Sequence, residues 1–102
     1  MEVTLGNVQS IPPGEGRVFE IGPRRLAVFR NRAGAVFATQ ADCPHRGGPL
    51  ADGLLGGQTL ICPLHALKFD LASGRALDGS CSLRTYPVRL SESEQIVVEL
   101  GE

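Results

Sequence analysis

At 102 residues the chain is one domain's worth of sequence, able to bury roughly 60 to 68% of its unfolded surface. Its 42% hydrophobic and 21% charged content exclude a disordered tail and a membrane protein. A formal net charge of -1 lacks the clustered cations that a nucleic-acid backbone demands, so neither nucleic acid nor membrane is expected as a partner.

Short β-compatible runs separated by turns dominate, with almost no helical periodicity. Arg17 to Ile21, Arg25 to Arg30 and Val36 to Thr39 read as a meander, the last two joined by a turn in which Gly34 can take a positive φ. Arg24, Arg25, Arg30 and Arg32 flank that hairpin and read as a solvated strand rim, with a docking patch for an acidic partner as the alternative. Gln58 to Cys62, Lys68 to Leu71, Arg84 to Leu90 and Gln95 to Leu100 supply further strands, the last pair joined by the polar turn Ser91 to Glu94. Nothing divides the chain, so residues 1–102 are expected to form a single antiparallel all-β domain.

No basic segment followed by an apolar core and a small-residue cleavage site opens the sequence, and no apolar run approaches the length of a membrane span. Together with only three cysteines, this leads us to expect a reducing, cytoplasmic setting, where metal ligation outranks a disulfide framework.

The chemistry concentrates in two Gly/Pro-rich stretches. Cys43-x-His45 is followed, after sixteen intervening residues, by Cys62-x2-His65, and a Gly56-Gly57 hairpin between them can return the chain to close a four-ligand set. Two thiolates and two imidazoles suit either a tetrahedral zinc or a mixed-ligand iron-sulfur cluster. Any one of the four taken alone could be a surface imidazole or a buried apolar thiol; the spaced quartet argues for shared ligation. A Cys/His nucleophilic pair would need a third orienting group and a cleft, and the five glycines between Gly47 and Gly57 do not form a dinucleotide fingerprint. An electron carrier with no substrate site of its own is therefore expected. A zinc-stabilised β module that binds another protein is the non-redox alternative.

The stretches CPHRGGPL and CPLHALKFDLASG strongly resemble the Rieske family, and the likeness runs from Val3 to Leu100. The resemblance implies a Rieske-like antiparallel β-sandwich with a two-loop cluster-binding tip and one 2Fe-2S cluster per chain. It further implies that Cys43 and Cys62 hold one iron while His45 and His65 hold the other, the histidines lying toward the solvent-facing tip. Two ferric ions, two sulfides and two thiolates carry no net charge, whereas four thiolates would leave two negative charges, so the mixed set accepts an electron more readily. High-potential relatives place a Gly-Ser after the second histidine and bridge the two loops by a disulfide. Here Ala66 and Leu67, and Gly48 and Leu64, occupy those places, which implies a low-potential centre.

Around the ligands, Pro44, Gly47, Gly48, Pro49 and Pro63 are expected to shape the loops, and Phe69 and Leu71 to pack beneath them and exclude water. Arg46 and Leu50 are candidates for partner contact, and Cys81 reads as a modestly buried structural thiol. CPHRGGPL, CPLHALKFDLASG and the later RTYPVRL look like the small subunit of assimilatory NAD(P)H nitrite reductase, whose large subunit would be the redox partner. The ferredoxins of aromatic-ring dioxygenase systems, which serve a ferredoxin reductase and a terminal oxygenase, are similar. Arg46, where those ferredoxins more often carry Gly, tilts the reading toward the reductase subunit.

Overall fold

The computed structural model describes residues 1–42, 49–62, 68–77 and 81–100. Ten strands are present among the described residues: β1 (Glu2–Asn7), β2 (Glu15–Ile21), β3 (Arg24–Arg30), β4 (Val36–Gln40), β5 (Leu54–Gly56), β6 (Thr59–Ile61), β7 (Lys68–Asp70), β8 (Thr85–Tyr86), β9 (Val88–Leu90) and β10 (Gln95–Glu99). They form three sheets, in the orders β1-β10-β9, β2-β3-β4-β8 and β5-β6-β7, and every named pairing is antiparallel. Apart from two three-residue 3-10 turns, Val8–Ser10 and Leu50–Asp52, no helix occurs among the described residues. The all-β expectation holds.

The central strand β3 explains the layering. Leu26, Ala27, Val28 and Phe29 form a continuous apolar run, all but inaccessible to water, the signature of a strand covered on both faces. Side chains alternate along a strand. Leu26 and Val28 accordingly join Val8, Ile11, Ile96 and Val98, while Ala27 and Phe29 join Leu50, Leu60, Cys62, Phe69 and Leu71. The four-stranded sheet is thus the middle layer, with β1-β10-β9 packed on one face and β5-β6-β7 on the other.

Turn chemistry fixes the registers. The β3–β4 turn has Gly34 at φ 95°, and the Asn31 side chain accepts from the Ala35 N–H at 2.8 Å. In the β5–β6 hairpin, Gly56 pairs with Thr59, leaving Gly57 at φ 62° as the first of two turn residues, where positive φ favours glycine. The β9–β10 turn places Glu94 at φ 62°, and the Ser91 hydroxyl accepts from the Gln95 N–H at 3.1 Å.

Three expectations need correction. The run Arg84 to Leu90 is not one strand: Pro87, lacking an N–H, separates β8, which pairs with β4, from β9, which pairs with β10. The chain passes between two sheets at that proline. The arginine rim is not simply solvated either. Arg30 donates to the Ile11 carbonyl at 2.9 Å, Arg24 to the Leu100 carbonyl at 3.0 Å, and Arg25 to the Asp42 carboxylate at 2.9 Å. Finally, β1 and β5 emerge where no strand was expected. β1 is an edge strand whose polar/apolar alternation, Glu2 to Leu5, runs over only four residues and places Val3 and Leu5 against the core before the bulge between Thr4 and Gly6. β5 has three residues, one of them glycine, too few to show an alternation.

Candidate metal centre

Cys43, His45, Arg46 and His65 lie outside the described residues, as do Pro44, Gly47, Gly48, Pro63, Leu64, Ala66 and Leu67. What the structure shows is the platform from which their segments depart. Residues 43–48 are bracketed by a bridge pairing Asp42 with Pro49, and the Leu50 N–H donates to the Ala41 carbonyl at 3.0 Å. Residues 63–67 follow Cys62 at the end of β6 and are bracketed by the pairing of Ile61 with Lys68.

The two brackets touch each other. Gly53, which follows the 3-10 turn Leu50–Asp52, lies so close to β6 that a Cβ there would run into the Ile61 carbonyl, a Leu60 methyl and the Leu50 carbonyl. Its backbone is ordinary extended chain, φ -73° and ψ 170°. Glycine is therefore needed for room, not for conformation. The absence of that side chain lets the turn Leu50–Asp52 and strand β6 lie against each other.

That floor is dry. Cys62 is 1% exposed and packs with Leu50, Leu60, Phe69, Leu71, Ala76 and Leu83. Phe69 and Leu71 are buried in the same cluster as Cys62 while Lys68 is exposed, which is the core role expected of them. Leu50 is fully buried and cannot contact a partner; its side chain belongs to the floor. Cys81 is partly buried against the same cluster, in line with a structural thiol.

Side-chain bonds steady the edges of the platform. Arg25 holds the Asp42 carboxylate at 2.9 Å, and the Gln40 amide donates to the Asp42 carbonyl at 2.7 Å while accepting from the Arg84 N–H at 2.8 Å. Behind β7, Asp70 accepts from the Ser73 hydroxyl and from the Gln58 side chain, each at 2.9 Å. The Ser73 hydroxyl is the main cause that holds its carboxyl below the usual range; burial opposes it, and the backbone N–H donors of Ala72 and Ser73 and the Gln58 amide reinforce it. Neither Gly53 nor Gln40 was identifiable from sequence. Glycine is common in this region, and nothing about an isolated glutamine announces that both ends of its amide will be bonded.

Among the described residues no group of three or more His, Cys, Asp or Glu side chains converges, since three of the four candidate ligands lie beyond them. The donor chemistry of the candidate set nevertheless suits an iron-sulfur centre: two thiolates and two imidazoles in segments rooted on one apolar floor.

The fold is that of a small all-β, antiparallel domain. Residues 1–87 match the family described as the Rieske [2Fe-2S] domain. The chain belongs to that family, a class of domain that carries a single 2Fe-2S cluster, and it resembles the small non-catalytic electron-transfer members. It is 38% identical to the ferredoxin component of biphenyl 2,3-dioxygenase from Rhodococcus jostii, over 88% of this chain and 84% of that one. It is 33% identical to the ferredoxin component of a naphthalene 1,2-dioxygenase system from Pseudomonas aeruginosa, over 89% and 88%. A Mycobacterium tuberculosis protein described as an NADH-dependent nitrite reductase small subunit superposes with a TM-score of 0.88 at 25% identity, covering 96% of this chain and 93% of that one.

Proposed function

We propose that the chain is the Rieske ferredoxin of an oxygenase system, passing single electrons from a flavoprotein ferredoxin reductase to a terminal oxygenase. The observation that carries this reading is its identity to two dioxygenase ferredoxin components over nearly nine-tenths of its length. The nitrite reductase subunit, toward which Arg46 tilts the sequence, is the second reading. The close superposition on a protein so described favours it, but shared backbone geometry is common to both classes.

In either case Cys43 and Cys62 would hold one iron, and His45 and His65 the other, within a single domain spanning residues 1–102. The bound cluster supplies a one-electron couple. The protein's part is to seat Cys62 in an apolar floor that excludes water. Ala66 and Leu67 bring no hydroxyl, so the centre should sit at the low end of the roughly -150 to +300 mV range of His-ligated clusters. A midpoint well above zero would refute that. We place the protein in the cytoplasm, in keeping with ligands that must stay reduced.

Electron paramagnetic resonance of the dithionite-reduced protein, with iron and sulfide counted on the same sample, tests the ligand assignment. A rhombic signal whose average g lies below the free-electron value is expected; zinc in place of iron would end the electron-transfer reading. Copurification then separates the partners. Capture of a nitrite reductase large subunit would overturn the ferredoxin reading, and turnover with a reductase and oxygenase pair would support it.

A further inference from the structure

We infer that Gln40 is a positioning residue for the cluster, setting the direction in which the first ligand segment leaves the sheet. This rests on the ligand assignment just proposed. Gln40 is the last residue of β4, three before Cys43. In a continuing antiparallel ladder it would face Arg84, since the preceding pair is Thr39 with Thr85. Half of that next rung is regular: the Gln40 N–H donates to the Arg84 carbonyl at 2.9 Å. The other half is not. The Arg84 N–H donates at 2.8 Å to the Gln40 side-chain oxygen instead of to its backbone carbonyl.

The side chain thus stands in for the backbone as acceptor, and the strand is free to turn away from β8 without leaving a donor unmade. The nitrogen of the same amide donates to the Asp42 carbonyl at 2.7 Å. A peptide unit is planar, so holding that carbonyl fixes the plane in which the chain departs toward position 43. One partly buried amide, bonded at both ends, therefore ties the root of residues 43–48 to the Arg84 strand. Arg25 on the Asp42 carboxylate adds a second tether, but that pair is about half exposed and contributes little by itself. The Gln40 bonds are between groups with fixed roles: only the amide nitrogen can donate to a carbonyl, and only its oxygen can accept from an N–H.

The variant Gln40→Glu separates positioning from general support. It keeps an acceptor for the Arg84 N–H and removes the donor to the Asp42 carbonyl, while Gln40→Leu removes both. Each reconstituted protein is measured for reduction midpoint, for iron release to a chelator, and for thermal unfolding by circular dichroism. Gln40→Glu should shift the midpoint and release iron about tenfold faster, the scale of one lost hydrogen bond to a buried carbonyl, with unfolding close to that of the wild type. Gln40→Leu should show the same changes together with a lower unfolding temperature. A wild-type midpoint and release rate in Gln40→Glu would overturn the inference, as would changes that merely track a fall in unfolding temperature. A wild-type chain that binds no iron and sulfide would overturn the ligand assignment, and this inference with it.

Discussion

Gly53→Ala, set beside Gly56→Ala, puts the shared floor to a direct test. The two glycines lie three residues apart, at either end of the short strand β5. Neither has a positive φ, so alanine strains neither backbone directly. Their surroundings differ completely. A Cβ on Gly56 meets nothing within 4 Å, whereas one on Gly53 meets the carbonyls of Ile61 and Leu50 and a methyl of Leu60. A methyl can swing aside; two backbone carbonyls cannot, unless β6 and the turn Leu50–Asp52 part. Forcing a methyl into such a fit costs about 1–3 kcal/mol, a large share of the stability of a domain this size. At a urea dependence of about 1–1.5 kcal/mol/M, the unfolding midpoint of Gly53→Ala should fall by about 0.7–3 M. Gly56→Ala should stay within about 0.5 kcal/mol of the wild type. Because the carbonyls it displaces sit at the roots of both ligand segments, Gly53→Ala should also release iron faster. Equal midpoints for the two variants would refute the claim that the segments share one floor.

Two further substitutions probe individual devices. Glu94 holds a left-handed conformation, φ 62°, at a cost of about 1 kcal/mol that glycine does not bear; Glu94→Gly should raise the unfolding midpoint, and a lower one would show that its contact with Gln9, 3.3 Å, outweighs the strain. Asp70 is held below its ordinary pKa chiefly by Ser73, so its contribution to stability is complete above the unfolded value of about 3.9 and is lost as pH falls through the lower folded one. Urea melts between neutral pH and pH 3 should therefore show a smaller acid loss in Ser73→Ala than in the wild type, and an identical acid loss would refute the role of that hydroxyl.

Wherever local chemistry dictates structure, the sequence was enough. The apolar run through Leu26, Val28 and Phe29, the turn at Gly34, the Gly56-Gly57 hairpin and the polar turn before Gln95 are all set by residues adjacent in the chain. The candidate quartet Cys43, His45, Cys62 and His65 is a local signal of the same kind, a pair of donors within each short segment. Other features depend on what lies across space. Edge strand β1 alternates exposed and half-buried residues only from Glu2 to Leu5 before its bulge, too short a run to announce a strand by itself, and it is completed by pairing with β10. Leu50 looks like a surface lid until the turn containing it is seen to face inward. Arg30 looks solvated until its guanidinium meets the Ile11 carbonyl.

The sequence by itself determined the class of protein and most of its strands, because periodicity, turn residues and motif spacing are local properties. Only the tertiary structure decided that β3 divides two cores, that Pro87 passes the chain between sheets, that Gly53 lies tight against β6, and that Gln40 links Asp42 to Arg84. Those facts arise from close approach and hydrogen bonding between residues far apart in sequence, where side-chain identity alone does not name the partner.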